Sequence, residues 1–423
     1  MSFLYNLEQI ITGKILKKTA MKLFIFKSFI LLPFLMVSCQ NELQIPPLMQ
    51  FADGSKIETI DDWRVRRQEI ESIFEQEVYG IAPEIPDDIE FSVVSEDTTA
   101  FDGKATKKIV NLRLKNLPNP IDLLIYYPNS GVDKKPAFLG LNFSGNYTTT
   151  SDLDIPLTSL WVPDEEEVDG NHASEKLRGI YASRWPAEMI VDSGFALITL
   201  YSGDIALDYN SDHKSGVRAL YSDSEYTWGT IAAWSWGLSY VMNYLEIDDR
   251  INENQVAVIG HSRLDKAALW AGAKDERFGL VISNNSGCVG AKLSRRKLGE
   301  RFTNINDGFP HWFCTNFKNY NDKEETLAVD QHQLLAMMAP RPVYVAIASN
   351  DDWNDPEGEF LSAYYASEIY PLYGLRGIES STFPEPETPY HEGSVGYHLR
   401  TGDHGITKYD WIQYINFANI HFK

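Results

Sequence analysis

The sequence predicts an α/β fold, a three-layer sandwich whose central sheet is mostly parallel and is preceded by an antiparallel hairpin region. Three observations predict it. The apolar runs Ala137 to Phe143, Ala196 to Tyr201, Val256 to Ile259, Leu280 to Ser283 and Val343 to Ala348 are separated by helical stretches. Strands that helices cover on both faces read as such continuous runs. Upstream, Phe91 to Val94, Lys108 to Leu114 and Ile121 to Tyr127 are rich in branched residues and punctuated by Asp, Gly, Asn and Pro, as hairpin strands are. Finally, Val256-Ala257-Val258-Ile259 runs into Gly260-His261-Ser262-Arg263-Leu264-Asp265-Lys266 and then Ala267-Ala268-Leu269-Trp270-Ala271. A strand, a sharp turn bearing serine and a helix make a nucleophile elbow, although Leu264 stands where the usual second glycine would be.

The remaining elements follow in order. Residues 1–39 hold an N-terminal extension and an export signal: Met21 reads as a start, followed by Lys22, Lys27, a short apolar stretch and Val37-Ser38-Cys39, a lipoprotein-type cleavage site. Residues 40–55, with Ile45-Pro46-Pro47, read as a tether, and 56–423 as the catalytic domain. Trp63 to Tyr79 carries Trp63, Ile70, Ile73, Phe74 and Val78 at helical spacing. Further helices are expected at Ala187 to Asp192, Trp228 to Leu245, Leu264 to Ala273, Gln331 to Met338, Gly358 to Tyr373 and Lys408 to Phe417. Thr148 to about Ser183 fits no regular element and reads as a solvated surface loop or an insertion near the site, the former slightly favoured.

Composition bounds the function. With 423 residues, 43% of them hydrophobic, the chain buries a large core. A formal net charge of −21 argues against nucleic acid or an anionic membrane face as partner, so membrane association is expected only through a lipid on Cys39. Three cysteines in an exported chain leave Cys288 and Cys314 as a possible disulfide once Cys39 is given to lipid. No Cys-His spacing resembles a zinc site.

A serine hydroxyl is a weak nucleophile, so it needs a base and an acid that orients the base. Ala346-Ile347-Ala348-Ser349-Asn350-Asp351-Asp352-Trp353 places carboxylates at the end of a late strand, and Tyr397 to Gly405 places His404 in a Gly-flanked loop before the last helix. The order Ser262, Asp351, His404 is that of an α/β-hydrolase fold, with Asp352 as second choice for the acid. His261 and His311 lie near these segments and read equally as polar core groups.

These residues resemble the bacterial glucuronoyl esterases of carbohydrate esterase family 15. The matching stretches include Trp63 to Gly80, Leu141 to Asn146, Trp228 to Glu246, Gly260 to Ala273, Ser283 to Arg296, Phe309 to Phe317, Ala339-Pro340-Arg341-Pro342 and Asp351 to Phe360, so the likeness runs through nearly all of residues 60–420. The resemblance implies hydrolysis of the ester between the (4-O-methyl)glucuronate carboxyl of glucuronoxylan and a lignin alcohol, through an acyl-enzyme, by a monomer using no metal or organic cofactor. It also implies Ser262 as nucleophile, His404 as base, Asp351 as acid and Arg263 as a holder of the oxyanion. Lys266 and Glu300 would contact sugar hydroxyls, and Trp353 would pack on the ring. Two departures stand out: Asp265 replaces the family glycine, where its carboxylate would neutralise Lys266 or crowd the elbow, and Asn285 takes a position where some members carry the orienting acid. The alternatives are a carboxylesterase acting on acetyl or feruloyl cell-wall esters, and a weakly active glycan-binding lipoprotein.

Overall fold

The computed structural model describes residues 43–422 except 132–133, 165–169, 212–214 and 222–226. The signal and lipid-site expectations at residues 1–39 lie outside the described residues. Within residues 43–55 of the expected tether, backbone carbonyls are held by the domain: His332 Nε2 bonds Pro46 O (2.9 Å), Arg295 donates to Gln44 O (3.0 Å), and Leu48 is buried.

Nine strands form one sheet: β1 (Glu90–Thr99), β2 (Ala105–Arg113), β3 (Ile121–Pro128), β4 (Lys135–Asn142), β5 (Ala196–Tyr201), β6 (Ile251–Ile259), β7 (Leu280–Asn284), β8 (Val343–Ala348) and β9 (Val395–Arg400), in spatial order β1-β2-β3-β5-β4-β6-β7-β8-β9. The first three pair antiparallel, β3 joins β5 antiparallel, and every later pairing is parallel. Alternate residues feed opposite faces. Leu139 and Val258 enter the larger core, under α1 (Ile60–Phe74), α3 (Thr230–Leu245), α4 (Arg263–Lys274) and α7 (Pro356–Ala366). Phe138 and Ala257 meet α2 (Ala187–Asp192) and α8 (Lys408–His421) through Ile190, Trp411 and Phe417. The fold is therefore the α/β-hydrolase sandwich that the sequence predicts.

Local signals explain the element ends. Thr59 caps α1 reciprocally with Asp62, each side chain accepting from the other's backbone N–H (3.1 and 2.9 Å). The helix then widens into a π-turn over Glu75–Tyr79. The helix expected from Gly358 to Tyr373 is α-helical only to Ala366 and finishes as a 3₁₀ segment, Ser367–Tyr373, which contains Pro371, a residue with no N–H to donate. The strand β9 and the helices α5 (Phe302–Gly308) and Ser202–Ile205 were not foreseen. Val395-Gly396-Tyr397-His398-Leu399-Arg400 carries polar groups at positions that are all buried in the sheet, so no simple pattern marks it.

The expected disulfide is absent. Cys288 and Cys314 are free, buried thiols, and Cys314 Sγ lies 3.7 Å from Gln76 O, which it meets as a weak donor. Burial pushes the Cys288 thiol up to about 12. Export alone suggested the pair, whereas the fold places each sulfur in its own packed niche.

Candidate active site

The site grows from the turn between β6 and α4. Ser262 sits at φ 56°, ψ −131°, outside the regions open to most L-residues, so the hydroxyl is presented by a strained elbow. Gly260 makes the turn possible: a β-carbon there would overlap the backbone of Asp265. The hydrogen bonds Ser262 N to Asn284 O (3.0 Å) and Asp265 N to Ser262 O (3.0 Å) hold the elbow to β7 and start the helix. The Leu264 and Asp265 N–H groups donate back to His261 O (3.2 Å) and Ser262 O (3.0 Å), which leaves the Arg263 N–H at the helix start as the backbone donor available to an attacked carbonyl.

Asp351 and His404 come from two loops at the carboxyl ends of β8 and β9. His404 Nδ1 bonds Asp351 Oδ2 (2.8 Å). The same oxygen accepts from Asn285 Nδ2 (2.7 Å) and Asn354 Nδ2 (2.8 Å). Burial raises the Asp351 carboxyl, but the bonds from His404, Asn285 and Asn354 outweigh it and hold the group below the usual carboxylate range. Asn285 thus belongs to the cradle of the acid. Asp352, the second choice for the acid, is exposed, and the bond to His404 is made by Asp351. Behind Asp351, the Trp353-Asn354-Asp355-Pro356 segment is a cap: Asp355 Oδ1 accepts from Gly358 N (3.1 Å) and Pro356 opens α7.

The His404 loop is clamped by Arg400, whose guanidinium donates to the carbonyls of Thr401, Asp403 and Gly405 (3.0, 2.9 and 3.1 Å) and pairs with the buried Asp410 (3.0 Å). Ser262 and His404 are walls of one cavity of about 170 Å³, together with Phe143, Ser144, Pro163, Tyr181, Arg184, His261 and Arg263. The structure records no hydrogen bond between Ser262 Oγ and the imidazole, a bond that commonly tightens only around substrate. His261 is a wall and not a base. Burial first, then the neighbouring His404 and Arg184, push it down to about 3, and its Nδ1 bonds Asn284 Oδ1 (2.7 Å).

Pro163 and Tyr181 come from the Thr148 to Ser183 segment, which corrects the favoured reading of it as a solvated loop: its described parts build a wall of the site. Its polar sequence hid this because irregular segments carry no periodic signal.

The remaining expected residues form a second cluster. Lys266, one turn along α4 and 3% exposed, donates to Ser286 O and lies 3.8 Å from Glu300 Oε2. Glu300 N donates to Trp353 O (2.7 Å), and the Trp353 indole is 53% exposed. These three meet one another but are not walls of the Ser262 cavity. Asp265 makes no hydrogen bond or ion pair with Lys266, although the ammonium's charge still bears on it. Its fully buried carboxyl accepts from Ser283 Oγ (2.6 Å), and burial pushes it well above the usual carboxylate range.

That burial has a consequence for pH. An acid whose folded value is raised binds its proton more tightly in the native state, so its stabilising contribution is complete below the unfolded value near 4 and is lost as pH rises. The native protein is expected to lose up to about 1.4 kcal/mol per pH unit from this one group above that point, until its folded value is reached. Asp265→Asn, which mimics the protonated acid, should flatten the fall of melting temperature as pH rises above about 4. An unchanged slope would mean the carboxyl is ionised.

A strained elbow, a histidine held by a carboxylate and a helix amino terminus at the strand ends of such a sheet are the arrangement of the α/β-hydrolase class of hydrolases. The family model described as "Glucuronyl esterase, fungi" matches residues 177–374. The "Carbohydrate esterase MZ0003" of an unknown prokaryotic organism is 43% identical over 388 residues, covering 89% of both chains. The glucuronoyl esterase from Solibacter usitatus superposes with a TM-score of 0.84 at 42% identity, over 90% of this chain and 98% of that one. The 4-O-methyl-glucuronoyl methylesterase of Hypocrea jecorina is 25% identical over 77% of this chain, which spans 61% of that relative's length. The chain belongs to the glucuronoyl esterases of carbohydrate esterase family 15.

Proposed function

We propose that this protein hydrolyses esters between a (4-O-methyl)glucuronate carboxyl and an alcohol of the lignin type, by a two-step acyl-enzyme route. The observation that carries it is the convergence of Ser262, His404 and Asp351 at the strand ends of a chain with this family membership. His404 takes the Ser262 proton as the hydroxyl attacks the ester carbonyl. The oxyanion is stabilised by the Arg263 backbone N–H at the start of α4 and by the Arg263 guanidinium, the alcohol leaves with a proton from His404, and water then repeats the sequence on the acyl-enzyme. Metal is not needed for these steps.

Lys266, Glu300 and Trp353 suit the sugar. A nearly buried ammonium and a carboxylate offer charge-assisted bonds to hydroxyls, and an exposed indole offers a flat apolar face. The test is an assay with benzyl glucuronate against acetylated xylan and a feruloyl ester. Hydrolysis of the first is expected to dominate, and a preference for either of the others would replace this reading with a different cell-wall esterase. Lys266→Ala should lower kcat/KM for the glucuronate by about 10- to 100-fold, the worth of one charged hydrogen bond, and hardly change turnover of an acetyl ester, which carries no ring at that position.

The Met21 to Cys39 segment supports export and lipid attachment at Cys39, with the enzyme on a cell-envelope face. Fatty-acid label should enter the wild type and be lost in Cys39→Ala; label retained in that variant rules the anchor out. A monomer is the proposed state, to be checked by light scattering.

A further inference from the structure

We infer that Asp208 is a positioning residue that aims the Arg263 guanidinium into the catalytic cavity, with His311 and Trp312 setting its own orientation. The inference rests on the oxyanion role proposed for Arg263. Asp208 follows β5 by seven residues and is far in sequence from every residue it meets. Its Oδ2 lies 2.6 Å from Arg263 Nε in an ion pair, while Oδ1 accepts from Trp312 Nε1 (2.8 Å) and bonds His311 Nε2 (3.0 Å). Burial raises this carboxyl, but His311, Arg263 and Trp312 together hold it below the usual range, so it remains a charged partner.

The guanidinium is confined on its other sides by aromatic faces, with its central carbon 4.9 Å from the Phe143 ring centre and 5.9 Å from that of Trp312. Phe143 and Arg263 are both walls of the Ser262 cavity. The anion engages the Nε side of the fork, so the terminal amino groups of this cavity-lining arginine are not taken up by Asp208. A free arginine on a helix start has many rotamers, and a donor stabilises an oxyanion effectively only when it is already in place before charge develops. Asp208 supplies that order, and the His311-Trp312 pair supplies it to Asp208. This gives His311 and Trp312, in the Phe309 to Phe317 stretch, a role through the arginine.

The test is a double-mutant cycle of Asp208→Asn and Arg263→Ala, with kcat and KM measured on benzyl glucuronate and folding followed by thermal melting. Asp208→Asn keeps the shape and removes the charge. It should lower kcat by about 10-fold or more with KM changed less than about threefold, and cause less than about twofold further loss in the Arg263→Ala background. Asp208→Glu, which keeps the charge, should retain more kcat than Asp208→Asn. Losses that multiply in the double variant, or equal losses in the Asn and Glu variants, overturn the inference. Full kcat in Arg263→Ala alone instead overturns the oxyanion role on which it rests.

Discussion

Replacing Ser262 with alanine is expected to lower kcat on a glucuronoyl ester by on the order of 10⁶-fold, the loss seen when a hydrolase of this kind is deprived of its nucleophile. The fold should survive, because the change removes one oxygen from a partly exposed position that bonds the rest of the protein through its backbone, to Asn284 and Asp265. What disappears is the attacking group, leaving the oxyanion donors and binding contacts to provide only residual catalysis. The measurement is kcat on benzyl glucuronate with melting temperature as control. Wild-type turnover in a folded Ser262→Ala variant would remove serine chemistry from this site altogether.

Asp351→Ala should lower kcat by about 10⁴-fold with a smaller change in KM. The carboxylate accepts from His404, Asn285 and Asn354 on a single oxygen, so its loss frees the imidazole from its orientation and withdraws the charge that stabilises the imidazolium. The buried Asn285 amide also loses its acceptor, a cost of about 1–3 kcal/mol. The variant is therefore expected to melt at a lower temperature as well. Asp352, exposed on the same turn, cannot take over without rebuilding the loop. Near-full activity in Asp351→Ala would refute the assignment of the acid. The sign of the pH effect follows from the lowered value of this carboxyl. Its contribution to stability is complete above the unfolded value near 4 and declines as pH falls through the lower folded value, so acid inactivation should begin earlier in a variant that loosens this cradle, such as Asn285→Ala.

Much of this was legible in the chain. Continuous apolar runs announced buried parallel strands because a strand covered on both faces has no polar side to show. The spelling from Val256 to Ala271 announced the elbow because a strand, a tight turn and a small-residue helix must follow one another closely there. Asp351 and His404 were found by their order and by their places after late strands. The helix ends at Thr59 and Asp355-Pro356 rest on equally local capping rules.

The sequence by itself determined the sandwich and marked Ser262, Asp351 and His404 as candidates, because backbone sterics, hydrophobic periodicity and chain order act over short distances and leave marks that can be read. Only the tertiary structure decided the rest. It showed that the cysteines stay apart, that Asn285 donates to Asp351, that the Asp265 carboxyl is buried against Ser283, that Pro163 and Tyr181 wall the cavity, and that Asp208 meets Arg263. Each depends on which groups distant segments bring together and on how much water they exclude, and burial and proximity of that kind set a side chain's charge and partners without altering its neighbours in the chain.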